Sequence, residues 1–253
     1  MMLPPKIRLS DRFELKYLLN RAQAETMIEE LSRYMIRDER GDEFGRYLIT
    51  SVYFDTADYQ AYWDKVEGHR FRRKVRVRVY GREQVTPDTR CFAEIKQRIN
   101  KTLQKKRVIL PYAQAMALCG AGEAVKTEDE ADQAVIDEIL YLYHTLQLQP
   151  ACVVSYQRLA FEGSGLEPGL RVTFDTQLKC RVHDLSLLSQ GYADNQYFVP
   201  PQQSVLEVKV NQRTPYWLTE LINKHRCAFR RISKYCLALE QAKFRLGQQQ
   251  IVY

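Results

Sequence analysis

The sequence predicts an α+β protein that combines helices with antiparallel strands carrying cations on one face. Three observations support this class. Several segments alternate between apolar and charged residues, which is typical of strands with one buried face. Other segments repeat apolar residues at helical spacing, and a content of 45% hydrophobic and 27% charged residues is that of a globular protein. Because the 253 residues contain no linker or low-complexity tract, we expect a single domain over 1–253.

The first predicted elements are a strand, a helix, a second strand and a short helix. Residues 12–17 form an extended run that ends near Asn20. Asn20 is the expected N-cap of the next helix, and Gln23 completes a capping box. Residues 46–54 then alternate as a strand, and Thr56 is expected to cap a short helix.

Three strands with strongly charged faces are predicted next, over 74–80, 91–96 and 105–110. The first alternates three valines with three cations, and the other two repeat the pattern more loosely. The charged positions on these faces are Lys74, Arg76, Arg78, Glu94, Lys96, Lys105 and Arg107.

Helices and strands alternate in the rest of the chain. Helices are expected over 111–118 and from Thr127 to about 146, where acidic first turns suit a helix N-terminus. Strands are then expected over 151–161, 170–176, 179–187 and 205–210. Two helices close the chain: one has Thr214 as cap and Pro215 at its first position, and the other begins near Ser233.

Positive charge is concentrated in one segment. The formal net charge is +7, but residues 65–107 contain 15 Lys and Arg against 4 Asp and Glu, while the remainder has a net charge of −4. The surface outside these strands is therefore expected to be near neutral or acidic, which argues against nucleic acid as a partner.

At least five predicted strands place cations on one face. A flat sheet with so many like charges would repel itself, and surface pairing would return little stability. Two arrangements relieve the repulsion. Either the face binds a polyanion in the open, or the sheet closes into a barrel with the cations inside and the apolar face outward under helices.

A compact, highly charged anion would neutralise such a face, since unpaired buried cations are very costly. Phosphate chains suit both Arg and Lys. Three carboxylates, Glu14, Glu94 and Glu207, lie among the cations. Each either pairs with a neighbouring cation or helps to hold a divalent ion that bridges phosphates, because oxygen ligands suit Mg²⁺ and Mn²⁺.

The six cysteines and four histidines form no metal-binding or catalytic motif. Even the closest cysteines, Cys227 and Cys236, are nine residues apart, so we expect reduced structural thiols. No segment approaches the roughly 18 consecutive apolar residues that cross a bilayer. Residues 1–6 lack the apolar run of a signal peptide, so we expect a cytoplasmic protein.

An ordered set of motifs resembles the VTC domain, the polyphosphate polymerase branch of the triphosphate tunnel metalloenzymes in the CYTH-like superfamily. The likeness runs from about Arg12 to Glu240. The motifs, in order, are Arg12-Phe13-Glu14-Leu15-Lys16-Tyr17, Ser51-Val52-Tyr53-Phe54-Asp55-Thr56, Val75-Arg76-Val77-Arg78-Val79-Tyr80-Gly81, Glu94-Ile95-Lys96, Ser155-Tyr156-Gln157-Arg158, Arg171-Val172-Thr173-Phe174-Asp175-Thr176, Leu206-Glu207-Val208-Lys209-Val210 and Ser233-Lys234-Tyr235.

This resemblance implies an eight-stranded antiparallel β tunnel, open at both ends, with helices packed outside. It also implies a metal-dependent phosphotransferase that passes the terminal phosphate of ATP to a growing inorganic polyphosphate chain, with Mn²⁺ or Mg²⁺ as cofactor. The expected partners are a nucleoside triphosphate and inorganic polyphosphate, with no nucleic acid. No transmembrane segment is expected, and a membrane-protein partner is left open.

Carried over position by position, the resemblance implies the site residues. Catalytic phosphate contacts are expected from Lys16, Arg76, Arg78, Lys96, Arg158 and Arg171. Further substrate contacts are expected from Lys65, Lys105, Arg107, Lys209, Arg231, Ser233 and Lys234. The expected metal ligand is Glu207, with Glu14 and Glu94 as the further candidates from the strand pattern.

One departure from the superfamily concerns the first strand, where Arg12 replaces the first glutamate of Glu-x-Glu-x-Lys. Loss of this carboxylate resembles the polymerase branch more than the hydrolytic branch. Two alternatives remain: hydrolysis of tripolyphosphate or a nucleoside triphosphate in the same tunnel, and non-catalytic binding of polyphosphate or nucleic acid. Against nucleic acid, aromatic residues are not interleaved with the charged positions as stacking platforms.

Overall fold

One antiparallel sheet of eleven strands forms the centre of the protein. The computed structural model describes residues 12–244, apart from 40, 82, 83, 101, 164, 166, 190–194 and 212. The strands are β1 (Arg12–Asn20), β2 (Met35–Arg37), β3 (Arg46–Asp55), β4 (Phe71–Tyr80), β5 (Arg90–Ile99), β6 (Thr102–Pro111), β7 (Gln149–Gly163), β8 (Arg171–Arg181), β9 (Gln196–Tyr197), β10 (Gln203–Asn211) and β11 (Ala228–Phe229).

Six α-helices accompany the described sheet. They are α1 (Arg21–Leu31), α2 (Gln60–Val66), α3 (Tyr112–Met116), α4 (Glu130–Leu146), α5 (Tyr216–Lys224) and α6 (Lys234–Leu239). Short π-helical segments, Ala117–Ala121 and Glu240–Phe244, continue α3 and α6. None of the described helices has the length and apolar content that crossing a bilayer requires.

The sheet follows the order β11-β1-β10-β8-β7-β3-β4-β5-β6, with β2 beside β7 and β9 beside β8. No ladder joins β6 to β1 within the described residues, so the sheet is open. The expectation of an eight-stranded tunnel is therefore corrected to an open sheet of eleven strands. Eight of these strands have nine or more residues, whereas β2, β9 and β11 have only three or two and are too short to produce an alternating pattern.

The apolar face of the sheet lies under helices, as the alternation predicted. Val75 and Val77 of β4 belong to a buried cluster with residues of α3 and α4. Leu206 and Val208 of β10 belong to another, with residues of α1 and α5. Burying this face leaves the cations of the alternating strands on the opposite face.

Helix α6 departs from the expectation that all helices lie outside, because it packs on the cationic face. Tyr235 and Cys236 share a buried cluster with Tyr53 and Cys152, whose side chains lie on the opposite face of the sheet from Val52 and Val153. The α6 residues from 234 to 236 and from 238 to 239 are all buried, so the helix has no amphipathic stripe to reveal its position from sequence.

The expected cap of α1 and the expected start of α6 near Ser233 are confirmed. Asn20 Oδ1 accepts from the Gln23 N–H at 2.9 Å, and Gln23 Oε1 accepts from the Asn20 N–H at 3.0 Å, which completes the capping box of α1. Ser233 caps α6, where its hydroxyl accepts from the Cys236 N–H at 3.4 Å. All six cysteines are free.

Three other caps differ from the prediction. Tyr59, not Thr56, occupies the cap position of α2, although the Thr56 hydroxyl accepts from the Gln60 N–H at 2.8 Å. Asp129, not Thr127, caps α4, because its carboxylate accepts from the Asp132 N–H at 2.9 Å. Helix α5 begins at Tyr216, one residue later than expected, because Pro215 has an extended ψ of 145° and itself occupies the cap position.

Candidate functional site

A cavity of about 810 Å³ lies on the cationic face of the sheet. Its described lining contains fourteen Lys and Arg side chains against three carboxylates, those of Glu14, Glu207 and Glu240. The cations are Lys16, Lys65, Arg70, Arg72, Lys74, Arg76, Arg78, Lys96, Arg98, Arg158, Lys209, Arg230, Arg231 and Lys234. A cavity with such a large surplus of positive side chains is suited to a compact anion that carries several negative charges.

Most of the residues expected at the site from sequence line this one cavity. They are Glu14, Lys16, Lys65, Arg76, Arg78, Lys96, Arg158, Glu207, Lys209, Arg231, Ser233 and Lys234. They come from β1, β4, β5, β7 and β10, from α2 and α6, and from the segment before α6. The fold therefore brings together positions that are up to 220 residues apart in the chain.

Four expected site residues do not line the cavity: Glu94, Lys105, Arg107 and Arg171. Arg171 donates to Asp38 Oδ2 at 2.7 Å and to the Tyr47 hydroxyl at 3.0 Å, and it also pairs with Glu162. Arg107 is exposed, and its guanidinium lies 4.8 Å from the ring centroid of Phe92.

Glu94 lies behind the cavity wall and joins two cations. Arg76 donates from Nε and Nη2 to Glu94 Oε2 at 2.7 and 2.6 Å, while Lys105 Nζ lies 2.5 Å from Oε1. Burial alone would raise the pKa of Glu94, but Arg76 and Arg78 lower it below its usual range. Burial lowers the pKa of Lys105 to about 7, against the opposing effect of Glu94. Each carboxylate oxygen thus lies within ion-pair distance of a cation, and Glu94 orients Arg76 towards the cavity.

Arg78 is a buried cation whose hydrogen-bond partners are neutral. Its Nε donates to the Ser51 hydroxyl at 3.0 Å and its Nη2 to the Tyr156 hydroxyl at 3.3 Å. Only 5% of Arg78 is exposed, and it forms no ion pair with a carboxylate of the described chain. A buried charge without a direct ion-pair partner is costly, so this guanidinium is suited to an anion supplied from outside.

Lys74 is a second cavity cation with neutral partners. Its Nζ donates to Ser233 Oγ at 3.2 Å and to Cys236 Sγ at 3.5 Å, and it lies 4.8 Å from the ring centroid of Tyr235. Burial lowers the pKa of this ammonium. An anion beside Lys74 would offset that cost of burial.

Glu14 and Glu207 lie on the neighbouring strands β1 and β10 and remain ionised. Burial and Glu207 act to raise the pKa of Glu14, but Lys16, 2.9 Å from Oε1, and Lys96, 3.0 Å from Oε2, lower it to about 2. Burial would also raise the pKa of Glu207, but Lys209 at 2.5 Å and Lys16 hold it well below its usual range.

Two of the three predicted metal ligands, but not all three, are placed where they could hold a divalent cation together. The described residues contain no group of three or more His, Cys, Asp and Glu arranged to hold a metal, so the three predicted ligands do not form one site. Glu14 and Glu207 form an ionised pair at the cavity, and Mg²⁺ is often held by one or two carboxylates together with substrate phosphates. The pair therefore fits a cation that shares its ligands with a bound phosphate chain.

Asp175, which was not among the predicted site residues, binds two of the cations that line the cavity. Arg158 donates to both of its carboxylate oxygens at 2.6 and 2.8 Å, and Lys234 Nζ lies 2.6 Å from Oδ2. Lys234 and Arg158 lie 4.8 and 5.3 Å from the ring centroid of Tyr156. The fold also brings three tyrosines among the cations, since Tyr53, Tyr156 and Tyr235 all line the cavity.

Five lining cations were not among the predicted site residues, although Lys74 was placed on the cationic face of its strand: Arg70, Arg72, Lys74, Arg98 and Arg230. Three of them carried a signal, because Arg72 and Lys74 continue the alternation of β4 and Arg98 continues that of β5. Arg70 and Arg230 lie outside the strands, where no periodicity applies.

A protein family, a curated relative and a solved structure are similar to this chain. The family model of the VTC domain matches residues 11–243. "Vacuolar transporter chaperone complex subunit 4" of Trypanosoma brucei brucei is 28% identical over 221 residues, which cover 75% of this chain. The chain spans only 28% of that relative's length. The structure of the PH1819 protein of Pyrococcus horikoshii OT3 is similar with a TM-score of 0.46 and 14% identity, covering 91% of this chain and 99% of the other.

Proposed function

Because this chain belongs to the VTC domain family, we propose that it transfers the terminal phosphate of ATP to a growing inorganic polyphosphate chain in the cationic cavity. One observation carries the proposal: the described lining of the cavity, whose volume is about 810 Å³, contains fourteen Lys and Arg side chains but only three carboxylates. Phosphoryl transfer needs positioning and charge neutralisation more than covalent help from the protein, and this lining supplies both.

The donor phosphates would be held by cations that lack a carboxylate of their own. Arg78 supplies a planar fork for phosphate oxygens, and Lys74 supplies a point charge. Arg76, fixed from behind by Glu94, presents its guanidinium to the same volume. Lys16, Lys96, Arg158, Lys209 and Lys234 complete the set of cations around the phosphate chain.

Glu207 and Glu14 would hold a divalent cation, Mn²⁺ or Mg²⁺, which when bound supplies charge neutralisation to the phosphate oxygens. Lys16 contacts both carboxylates, at 2.9 Å for Glu14 and 3.9 Å for Glu207, and keeps them ionised. Glu94 acts by positioning Arg76.

In the transfer, a terminal oxygen of the acceptor chain attacks the terminal phosphorus of ATP, and a new P–O bond forms. The bond from that phosphorus to the bridging oxygen breaks, and ADP leaves with its electron pair. The acceptor oxygen is already ionised, so no nucleophilic side chain is required. The role of the chain's own residues is to align donor and acceptor and to neutralise the charge that develops between them.

The test is to incubate the purified protein with ATP and Mn²⁺ and to resolve long polyphosphate from free phosphate on a gel. Parallel reactions contain Mg²⁺, excess chelator, the Glu207→Gln variant or the Arg76→Ala/Arg78→Ala variant. The matched control is Arg21→Ala/Arg33→Ala, which removes the same charge from exposed positions on and beside α1. We expect long polyphosphate from the wild type and the control, and little from the other variants.

Each alternative has its own result. Free phosphate as the sole product would assign water as the acceptor and make the protein a hydrolase. Tight tripolyphosphate binding without turnover would make it a binding protein. Full activity of the Arg76→Ala/Arg78→Ala variant would show that the cavity is not the site of reaction.

A further inference from the structure

Helix α6 begins with Lys234 and yet lies on the cationic face of the sheet. Two of its polar contacts with the sheet depend on cations that line the cavity. Lys234 Nζ lies 2.6 Å from Asp175 Oδ2, and the Ser233 hydroxyl at the cap accepts from Lys74 Nζ at 3.2 Å. A phosphate chain in the cavity would compete for both cations, so both contacts weaken when an anion binds.

A third contact of α6 uses no cation. The hydroxyl of Tyr235 donates to Asp55 Oδ2 at the end of β3, and both residues are buried. Burial and then Asp55 raise the pKa of Tyr235, so the hydroxyl keeps its proton and remains a donor. Among the described residues, no lysine or arginine forms an ion pair with Asp55. An anion in the cavity therefore leaves this contact of α6 in place.

The same carboxylate fixes the start of α2. Asp55 Oδ1 accepts from the Ala61 N–H at 2.8 Å, and Oδ2 accepts from the Tyr62 N–H at 3.2 Å. These two N–H groups lie in the first turn of α2, where they have no acceptor within the helix. Helix α2 carries Lys65 and helix α6 carries Lys234, and both side chains line the cavity. One buried carboxylate thus contacts both helices that bring these cations to the cavity.

The ring and the hydroxyl of Tyr235 have separate contacts. The ring centroid lies 5.2 Å from that of Tyr53 and 4.8 Å from Lys74 Nζ, whereas the hydroxyl is turned towards Asp55. Tyr235→Phe therefore removes the hydrogen bond and keeps the ring that packs beside the cavity.

We propose that Asp55 and Tyr235 are positioning residues, whose hydrogen bond fastens α6 to the end of β3 and thereby places Lys234 and Ser233 at the cavity. The reaction that these two side chains serve rests on the proposed function, but the fastening of α6 does not. Asp55 does not line the cavity, and the Tyr235 hydroxyl is bonded to it, so neither group is catalytic. Without the bond, α6 separates from the sheet more often, and the cations that it positions no longer keep one place.

Two cysteines report the position of α6 without any assay of activity. Cys180 lies under α6, where its Sγ donates to the Ala238 carbonyl at 3.5 Å. Cys91 lies under the helices of the apolar face, where its Sγ donates to the Leu110 carbonyl at 3.4 Å. Both residues are fully buried, and burial raises the pKa of both thiols to about 12. The two thiols are therefore matched except for the helix that covers them.

The first measurement is the rate at which N-ethylmaleimide labels Cys180 and Cys91 under native conditions, with the labelled sites identified by mass spectrometry. We expect Tyr235→Phe to raise the labelling of Cys180 relative to Cys91 about tenfold, because a hydrogen bond to a charged acceptor is strong enough to change a local opening equilibrium by that factor. Asp55→Asn should have at least this effect. Adding Tyr235→Phe to Asp55→Asn should change the labelling no further, since the bond is already lost.

The matched control is Tyr112→Phe. It removes another buried tyrosine hydroxyl, which accepts from the Leu187 N–H at 2.9 Å on the apolar face of the sheet. This variant should leave the labelling of Cys180 relative to Cys91 no higher than in the wild type. Equal acceleration of both thiols by Tyr235→Phe would indicate global unfolding and would overturn the fastening, as would unchanged labelling.

The second measurement separates positioning from stability. At a temperature where thermal melts show every variant to be folded, we expect Tyr235→Phe to lower kcat for polyphosphate synthesis about tenfold and to change KM for ATP less than about twofold. Misplaced cations align the reactants poorly, whereas binding is shared among many cations. Tyr112→Phe should keep the wild-type kcat. A rise of KM at constant kcat in Tyr235→Phe, or an equal loss of kcat in Tyr112→Phe, would overturn the positioning role.

These results are separable from the test of the proposed function. If the wild type makes no polyphosphate while Tyr235→Phe exposes Cys180 as expected, the proposed transfer is wrong and the fastening of α6 stands. If polyphosphate forms and the labelling of Cys180 does not respond to Tyr235→Phe, the transfer stands and the fastening is wrong.

Discussion

Lys96 Nζ lies 3.0 Å from Glu14 Oε2, so an ion pair joins β5 to β1 although the two strands are not neighbours in the sheet. Strands near the two ends of the open sheet therefore meet through side chains across one cavity. The sequence pattern placed both residues on cationic strand faces, and this contact shows how a sheet without a closing ladder still surrounds its ligand volume.

The first prediction concerns this ion pair. We expect Lys96→Met and Glu14→Gln to be coupled by about 1 kcal/mol in the free energy of unfolding, since Glu14 is largely buried and Lys96 is only partly screened. A double-mutant cycle in urea measures the coupling. The exposed pair Lys224 and Glu30 is the comparison and should give less. Equal coupling in the two pairs would mean that the ion pair between Lys96 and Glu14 holds β5 and β1 together no better than an exposed ion pair would.

The second prediction separates Arg78 from Arg76. Arg76→Met removes the guanidinium that donates two bonds to Glu94 Oε2, and we expect a loss of about 3 kcal/mol of stability, because this buried carboxylate keeps only Lys105 as an ion-pair partner. Arg78→Met removes a buried cation without a carboxylate partner, and we expect stability to change by less than about 1 kcal/mol. Both should lower the rate of polyphosphate synthesis by roughly a hundredfold.

Thermal melts and the gel assay together check this prediction. The informative variant is Arg78→Met, because a stable but inactive protein assigns the guanidinium to the ligand. A large loss of stability in Arg78→Met, equal to that in Arg76→Met, would contradict its description as a cation held for an external anion.

Local features of the sequence predicted much of the fold. Strict alternation identified β4, and its apolar side is the side that packs under α3 and α4. Short-range capping chemistry identified the start of α1 at Asn20, because the two hydrogen bonds of a capping box lie within four residues. Such patterns lie within a few consecutive residues, so they can be recognised without knowing which distant segments pack against them.

The rest depended on contacts between distant segments. Glu162 is nine residues from Arg171 and lies opposite it on β7, but nothing near Arg171 indicates that Asp38, 133 residues away, also neutralises it. The alternation of β8 placed Asp175 on the cationic face, but its partner Lys234 comes from a helix 59 residues later. The position of α6 on that face also required the folded sheet, because a helix buried on nearly all sides carries no directional pattern.

The third prediction is a pH dependence that arises at Lys105. The pKa of this side chain is about 7 in the folded protein against 10.5 in the unfolded chain, because burial disfavours the ammonium. Between these values the unfolded chain binds more protons than the folded protein, so the unfolding free energy contributed by Lys105 rises as the pH rises from about 7 to 10.5. Urea unfolding at intervals across this range measures the slope.

The control for this slope uses two substitutions that cannot titrate there. Lys105→Met removes the charge, and Lys105→Arg keeps a charge near Glu94 throughout. The wild type should gain stability relative to both variants as the pH rises, and by the same amount. A difference that is flat with pH would show that Lys105 does not titrate in this window.

The last prediction concerns Asp175, which lies fully buried between Arg158 and Lys234. Asp175→Asn leaves these two buried cations with only their longer contacts to Glu207, at 3.9 Å from Arg158 and 3.6 Å from Lys234, and we expect a loss of roughly 3–5 kcal/mol of unfolding free energy. The exposed Asp137→Asn on α4 is the matched control and should be nearly neutral. Because a phosphate chain in the cavity would replace the missing negative charge, tripolyphosphate should raise the melting temperature of Asp175→Asn more than that of the wild type. A smaller rise in the variant would indicate that Asp175 supports the binding geometry more than it competes with the anion for these two cations.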